Sequence, residues 1–186
     1  MISVVFIRHG ATQGNLERKY VGRTDEPLCE EGIRQAKALK GKDFPHDYIF
    51  VSPMLRTIET AKLIFPDGDF IIEKDLREMN FGIFEGKSAT ELSDNDEYQK
   101  WVDSMCTLPI PDGEDIYGFK KRCVEAFARL METVPDNSGV SFVVHGGVIM
   151  SVMEAFGWPK RDFFDWIIDN CEFLACTYEN GIVKVQ

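Results

Sequence analysis

Three histidines occur in 186 residues, and two of them directly follow short apolar runs: His9 in Arg8-His9-Gly10-Ala11-Thr12 and His145 in His145-Gly146-Gly147. If those runs are strands of one parallel sheet, both imidazoles stand at strand carboxyl ends, the edge along which open α/β sheets bind ligands. Arg8 precedes His9, and Arg56 falls in the first turn of a helix expected after Ser52, beside free backbone N–H groups that attract anions. Asn15 adds an amide donor. Two guanidiniums, two imidazoles, an amide and helix-start N–H groups form a phosphate-sized pocket of positive potential. An imidazole held there can attack phosphorus while the cations spread the charge of the transition state.

The elements that must position these residues are legible as alternating patterns. Ile2 to Ile7, Tyr48 to Val51, Phe70 to Ile72, Val140 to Val144 and Phe173 to Tyr178 are short runs rich in β-branched and aromatic residues, which read as strands buried mostly on both faces. Helical patterns lie between them at Glu30 to Lys40, Pro53 to Phe65, Glu114 to Val134 and Val148 to Phe156, with Ser52 as the expected N-cap of the second and Pro53 at its first position. Alternation of this kind predicts an α/β fold with a mostly parallel central sheet flanked by helices. Asn80 to Gly113 departs from it, being polar and interrupted by Gly82, Gly86, Pro109 and Pro111, and reads as a lid-like excursion from one domain spanning 1–186.

Composition narrows the partners. With 44% apolar residues the chain can bury a core, and with 21 basic against 31 acidic residues it carries a formal charge of −10, which nucleic acid and anionic membranes repel. A small anionic ligand is compatible with that field only where cations are concentrated. Cys29, Cys106, Cys123, Cys171 and Cys176 are odd in number and scattered, so a reducing cytoplasm is expected rather than a disulfide framework. Met1 to Ile7 has neither the charged leader nor the length of a signal peptide, and no stretch reaches the ~20 apolar residues of a membrane span. No His/Cys spacing suggests a metal, and no cofactor is expected. Oligomeric state is left open.

Four blocks in order carry a resemblance: Arg8-His9-Gly10-Ala11-Thr12 with Asn15; Ser52-Pro53-Met54-Leu55-Arg56-Thr57 continuing to Thr60-Ala61; Leu76-Arg77-Glu78-Met79-Asn80-Phe81-Gly82 with Glu85-Gly86; and His145-Gly146-Gly147. Together they resemble the histidine phosphatase, or phosphoglycerate mutase-like, superfamily. Tyr20 to Leu28 is similar to the loop of its alpha-ribazole phosphatase branch, and Phe84 departs from the Trp of many relatives. The resemblance implies a phosphoglycerate mutase-like fold and a metal-independent phosphomonoesterase acting on a small-molecule phosphate ester. It makes His9 the nucleophile, and Arg8, Arg56 and His145 the stabilisers of the phosphoryl group. Glu78 becomes the proton donor to the leaving group, and Thr12, Asn15, Gly22 and Gly146 become substrate-binding positions.

Taken singly, these residues have plainer readings. A histidine after a strand is usually structural, Arg56 could pair with Glu59 or solvent, and His145-Gly146-Gly147 could be a turn. Glu78 is one acid among Glu73, Asp75, Glu85 and Glu91, and only the resemblance singles it out. His46 and Asp94 to Glu97 read as surface, and Trp101 with Met105 as lid packing. A phosphoglycerate mutase is the first alternative, but Met79 to Phe119 contains only Lys87 and Lys100 as cations, so a second phosphate would need Arg18, Lys19 or Arg23. A catalytically inactive phosphate-binding or protein-interaction module is the second.

Overall fold

The computed structural model describes residues 1–186. Seven strands form one sheet in the order β3-β2-β4-β1-β6-β7-β5. They are β1 (Ile2–Arg8), β2 (Tyr48–Val51), β3 (Phe70–Ile72), β4 (Gly139–Val144), β5 (Gly157–Trp158), β6 (Phe173–Glu179) and β7 (Ile182–Val185). β3, β2, β4 and β1 run parallel, β6 returns antiparallel beside β1, and β7 pairs antiparallel with β6. The helices are α1 (Gln13–Leu16), α2 (Glu30–Leu39), α3 (Leu55–Ile64), α4 (Asp96–Asp103), α5 (Ile116–Glu132) and α6 (Gly146–Phe156).

Side chains alternate across β1, and each face finds its own core. Val4 and Phe6 join Phe50, Phe142, Phe127 and Val152 in a cluster under α5 and α6, whereas Val5 and Ile7 join Ile49, Val51, Ala36 and Ala61 under α2 and α3. Coverage on both faces is why the central strands are apolar without interruption. Burying each such large side chain contributes about 1.5–3 kcal/mol. β3 and β6 depart from the expected two-sided burial: Ile71 and Ile72 are exposed on the edge strand β3, and β6 buries only Cys176 while Phe173 is exposed. β5 and β7 went unread in the sequence. The β6–β7 hairpin turns on Asn180 and Gly181, both at positive φ (50° and 76°), a pair suited to a two-residue turn.

The expected excursion contributes to the same core: Phe84, Leu92, Tyr98, Trp101 and Ile110 belong to the cluster under α5 and α6. α4 starts at Asn95, whose side chain accepts the Tyr98 N–H, and it buries Tyr98 and Trp101 one turn apart. Met105 is exposed. No helix is long and apolar enough to cross a membrane.

Strand register sets the positions that matter. Arg8 lies opposite Val144, and Val51 opposite Val143, in adjacent parallel pairs. His9, His145 and Ser52 therefore leave the carboxyl ends of three neighbouring strands. Neighbouring strands are about 4.8 Å apart, so residues stepping off their ends must meet.

Candidate active site

The imidazoles of His9 and His145 lie with ring centroids 5.1 Å apart. His9 Nδ1 is 2.7 Å from the Gly10 carbonyl oxygen, which can only accept, so Nδ1 carries the proton and Nε2 keeps a free lone pair. His145 Nε2 is 2.7 Å from Ser52 Oγ, and its Nδ1 is buried without a partner in the protein. Both rings are almost wholly buried. Burial, reinforced by Arg56 and Arg8, holds His9 well below the ordinary imidazole value. Burial, then Arg56 and His9, does the same to His145. Both are neutral at pH 7.

This Ser52 contact corrects the expected helix start. Ser52 does not cap α3; its hydroxyl belongs to His145, and α3 begins at Leu55 rather than Pro53. The Leu55 N–H is capped instead by Asp25 Oδ1 at 2.7 Å, from a loop 30 residues earlier. Ser52 was missed as a site residue, although it follows its strand just as the two histidines follow theirs.

Arg56 is fully buried, and its terminal nitrogens donate to the carbonyls of Thr24 at 2.9 Å and Gly22 at 2.8 Å. Its Nε has no partner. The loop supplying those carbonyls is organised by Glu85, whose carboxylate accepts the N–H groups of Gly22, Arg23, Thr24 and Phe81 and the Thr24 hydroxyl, at 2.7–3.2 Å. Burial works to raise the Glu85 carboxyl, yet the hydrogen bonds from Thr24, Arg23, Phe81 and Gly22 outweigh it and hold it below its ordinary value. Gly22 itself has no room for a side chain, since a Cβ there would collide with the Met79 carbonyl oxygen. Both its backbone groups are engaged, the N–H with Glu85 and the carbonyl with Arg56, so Gly22 serves to hold Arg56.

Arg8 donates to the Ile168 carbonyl at 2.7 Å, and its Nε is also buried without a partner. Burial lowers both Arg8 and Arg56, opposed by the nearby Glu78 carboxylate. Thr12 is buried as the N-cap of α1, its hydroxyl accepting the Asn15 N–H and its N–H donating to Asn15 Oδ1. Asn15 Oδ1 also accepts from Asn170 Nδ2 at 3.3 Å, and Asn170 donates to the His9 carbonyl at 2.9 Å. With Oδ1 held on that side, the Asn15 NH₂ is the group left for a ligand. No local pattern marked Asn170 in the sequence.

Glu78 reaches the site from the turn before Met79. Oε1 accepts the Met79 N–H at 2.9 Å and Oε2 the Gly147 N–H at 3.0 Å. The α6 helix begins at Gly146, two residues earlier than expected, and this puts the Gly147 N–H in its first turn, where no helical acceptor exists. A Cβ on Gly147 would collide with Glu78 Oε1 and lie 2.9 Å from Phe119 Cζ; one on Gly146 would meet nothing closer than Arg8 Nε at 3.6 Å. The second glycine of the pair is thus required by the approach of Glu78.

A cavity of about 390 Å³ opens over these residues. Arg8, Asn15, Glu78, Gly146 and Gly147 line its polar end, and Tyr20, Phe81, Trp101, Phe119, Phe163 and Ile167 are among its apolar walls. Lys19 is on the wall too, paired with Glu17 at 2.6 Å.

Comparison with known proteins gives the family. A family model described as the histidine phosphatase superfamily (branch 1) matches residues 4–186. A protein of Escherichia fergusonii named "Probable phosphoglycerate mutase GpmB" is 32% identical, the match covering 97% of this chain and 87% of that one. The crystal structure of the alpha-ribazole phosphatase from Shigella flexneri superposes with a TM-score of 0.86 at 26% identity, over 99% of this chain and 94% of the other. A phosphoglycerate mutase from Thermus thermophilus gives 0.75 at 28% identity, over 97% of this chain and 95% of the other. The chain belongs to the histidine phosphatase superfamily, branch 1.

Proposed function

We propose that this protein is a phosphomonoesterase acting through a phosphohistidine on a small phosphorylated metabolite. The observation that carries the reading is that Arg8 Nε, Arg56 Nε and His145 Nδ1 are buried without partners on the residues grouped with His9: the His145 ring centroid is 5.1 Å from that of His9, and both guanidiniums act on the His9 imidazole. Buried donors are nearly always satisfied, so three together call for an anionic ligand.

In this reading neutral His9 attacks phosphorus in line through Nε2, forming an N–P bond as the P–O bond to the leaving group breaks. Arg8, Arg56 and His145 donate to the equatorial oxygens, with Ser52 donating to His145 Nε2 so that Nδ1–H faces the phosphate. Asn15 orients the phosphate, with Thr12 behind it and the Gly146 N–H beside it. Glu78 gives its proton to the departing alkoxide; as carboxylate it then takes one from water, which attacks phospho-His9 and releases inorganic phosphate and free His9. The arginines and His145 carry the charge in this scheme without a metal, and a chelator is expected to leave turnover unchanged.

The aromatic cavity wall favours a leaving group with an apolar, planar part, and alpha-ribazole phosphate, whose ribose carries an aromatic base, is the first ester to test. All five cysteines are free, which fits a reducing cytoplasm, and the charge of −10 disfavours nucleic acid as a partner. Segment 80–113 closes over the cavity as the lid in this scheme.

The mutase alternative gains one observation, Lys19 on the cavity wall. A second phosphate would have to compete with Glu17 for it, and beyond Arg8 it is the one cation on that wall. The deciding experiment measures phosphate release across alpha-ribazole phosphate, sugar phosphates, nucleotides and phosphoglycerates, alongside interconversion of 2- and 3-phosphoglycerate. Phosphate release is expected to dominate, without stimulation by 2,3-bisphosphoglycerate. Faster interconversion than release would make the protein a mutase, and no turnover of any ester would make it an inactive binding module.

A further inference from the structure

Arg122 lies on α5, outside every motif described above, and its side chain is 17% exposed. Its five N–H groups find five oxygen acceptors. Nε donates to Glu114 Oε1 at 2.8 Å; one terminal nitrogen donates to the carbonyls of Asp75 and Arg77, each at 2.7 Å; the other donates to the Glu78 carbonyl at 3.1 Å and Glu114 Oε2 at 2.9 Å. Three of these acceptors are main-chain carbonyls of the turn that presents Glu78. Glu114 also accepts the Asn80 N–H at 2.8 Å, so one ion pair holds the backbone on both sides of Glu78. The guanidinium lies 4.9 Å over the Phe119 ring, which packs against Gly147, the donor to Glu78 Oε2. Arg122 does not line the cavity.

We infer that Arg122, with Glu114, is a positioning residue for proton transfer: it fixes the turn from which Glu78 reaches the leaving group, without touching substrate. The inference rests on Glu78 being the leaving-group acid. Displacing a reacting group by about 1 Å costs on the order of 10²-fold, and the loss falls on the step that group serves. Phosphoryl transfer from an aryl ester, whose leaving group departs without a proton, should be insensitive to the Arg122 support, and transfer from an alkyl ester should not.

The test compares p-nitrophenyl phosphate with glycerol 3-phosphate in Arg122→Lys, which keeps the charge but cannot span five acceptors. Because Glu78 also acts as base in the hydrolysis of phospho-His9, a step common to both esters, the readout is kcat/KM, which reports phosphoenzyme formation alone: the alkyl-ester value is expected to fall roughly 10- to 10²-fold with the aryl-ester value little changed, and Arg122→Lys added to Glu78→Gln should cost the alkyl ester little more. Equal losses on both esters, no loss on either, or fully additive losses in the double variant would overturn it. Should Arg122→Lys not melt cooperatively, Glu114→Gln, which weakens the same pair from the other side, takes its place under the same criteria. Glu78→Gln alone separates the two levels. If it shows no preference between esters, the acid assignment falls and this inference with it; if it does and the Arg122 variant does not, only the inference falls.

Discussion

In the proposed scheme, the phosphate end of the cavity and its proton-donor end are built by mirror-image devices. At the first, an acid organises an arginine: Glu85 gathers five donors from residues 22–24 and Phe81, and the carbonyls of that loop hold Arg56. At the second, an arginine organises an acid: Arg122 gives its donors to Glu114 and to the carbonyls around Glu78. The ends differ in what stands behind them. His9, His145 and Ser52 step off three registered strands, so the sheet itself sets their separation. Glu78 is on a turn, and the α6 N-terminus and Arg122 must hold it there. A group on a turn can be displaced by one substitution nearby; groups fixed by sheet register cannot.

Glu78→Gln should break the symmetry most visibly. In kcat/KM, which reports phosphoenzyme formation and not the later hydrolysis that also uses Glu78, alkyl esters are expected to lose roughly 10² to 10⁴, the range for general acid catalysis, while p-nitrophenyl phosphate loses far less. Arg56→Lys, at the other end, should lower both ester types together by about 10²- to 10³-fold, because the phosphoryl group is common to them. A leaving-group preference in the Arg56 variant, or none in the Glu78 variant, would mean that the two ends have been assigned the wrong way round.

The paired glycines sharpen the contrast at smaller scale. Gly147→Ala pushes a methyl group into Glu78 Oε1 and against Phe119, so it should reproduce the ester selectivity of Glu78→Gln, weakened to about 10- to 10²-fold. Gly146→Ala places its methyl group 3.6 Å from Arg8 Nε at the phosphate end, so any loss should fall on both esters alike, with no leaving-group preference. Steady-state kinetics on both esters decides it, and equal behaviour of the two variants would contradict the assignment of Gly147 to Glu78.

The smallest expected effect is thermodynamic. His9 and His145 stay neutral in the folded protein well below the ordinary value of 6.5, whereas the unfolded chain takes up protons there. The unfolded state then binds more protons, so stability falls as pH drops below about 6.5, by up to about 1.4 kcal/mol per pH unit for each histidine. Glu85 and Glu114, both lowered from 4.5, add their loss only at more acid pH, as they protonate through their folded values. Denaturant melts between pH 7.5 and 5 should show that decline, and His145→Asn should reduce its slope. A flat profile would mean that the imidazoles are charged in the fold.

How much of this was legible follows from how local each signal is. The strands of the sheet centre and the residues at their ends could be read, because a buried parallel strand is an apolar run and its carboxyl end is the next residue. The same logic would have found Ser52, had the helix-cap pattern Ser-Pro not supplied a competing reading. Arg122, Glu114 and Asn170 gave no such signal: each acts through backbone carbonyls or amides dozens of residues away, and Arg122, in the run Lys120-Lys121-Arg122, looks like part of a solvated helix face. β5 and β7 were missed because Gly157-Trp158 is only two residues long before a proline, and Ile182–Val185 is interrupted by Lys184, so neither shows the unbroken apolar run that marks β2 and β3. The polar segment 80–113 hid Phe84, Leu92, Tyr98 and Ile110, which are spaced too irregularly to show a face, and only Trp101 of this group was read as packing.

The central claim is that His9 Nε2 carries the phosphoryl group. Rapid acid-free quenching of the wild-type protein with a phosphorus-labelled ester, followed by peptide mapping, tests it most directly. Acid-labile, base-stable label is expected on the peptide containing His9 and none in His9→Ala, with turnover in that variant reduced by at least about 10⁴-fold. Label on another residue, or wild-type turnover in His9→Ala, would contradict it.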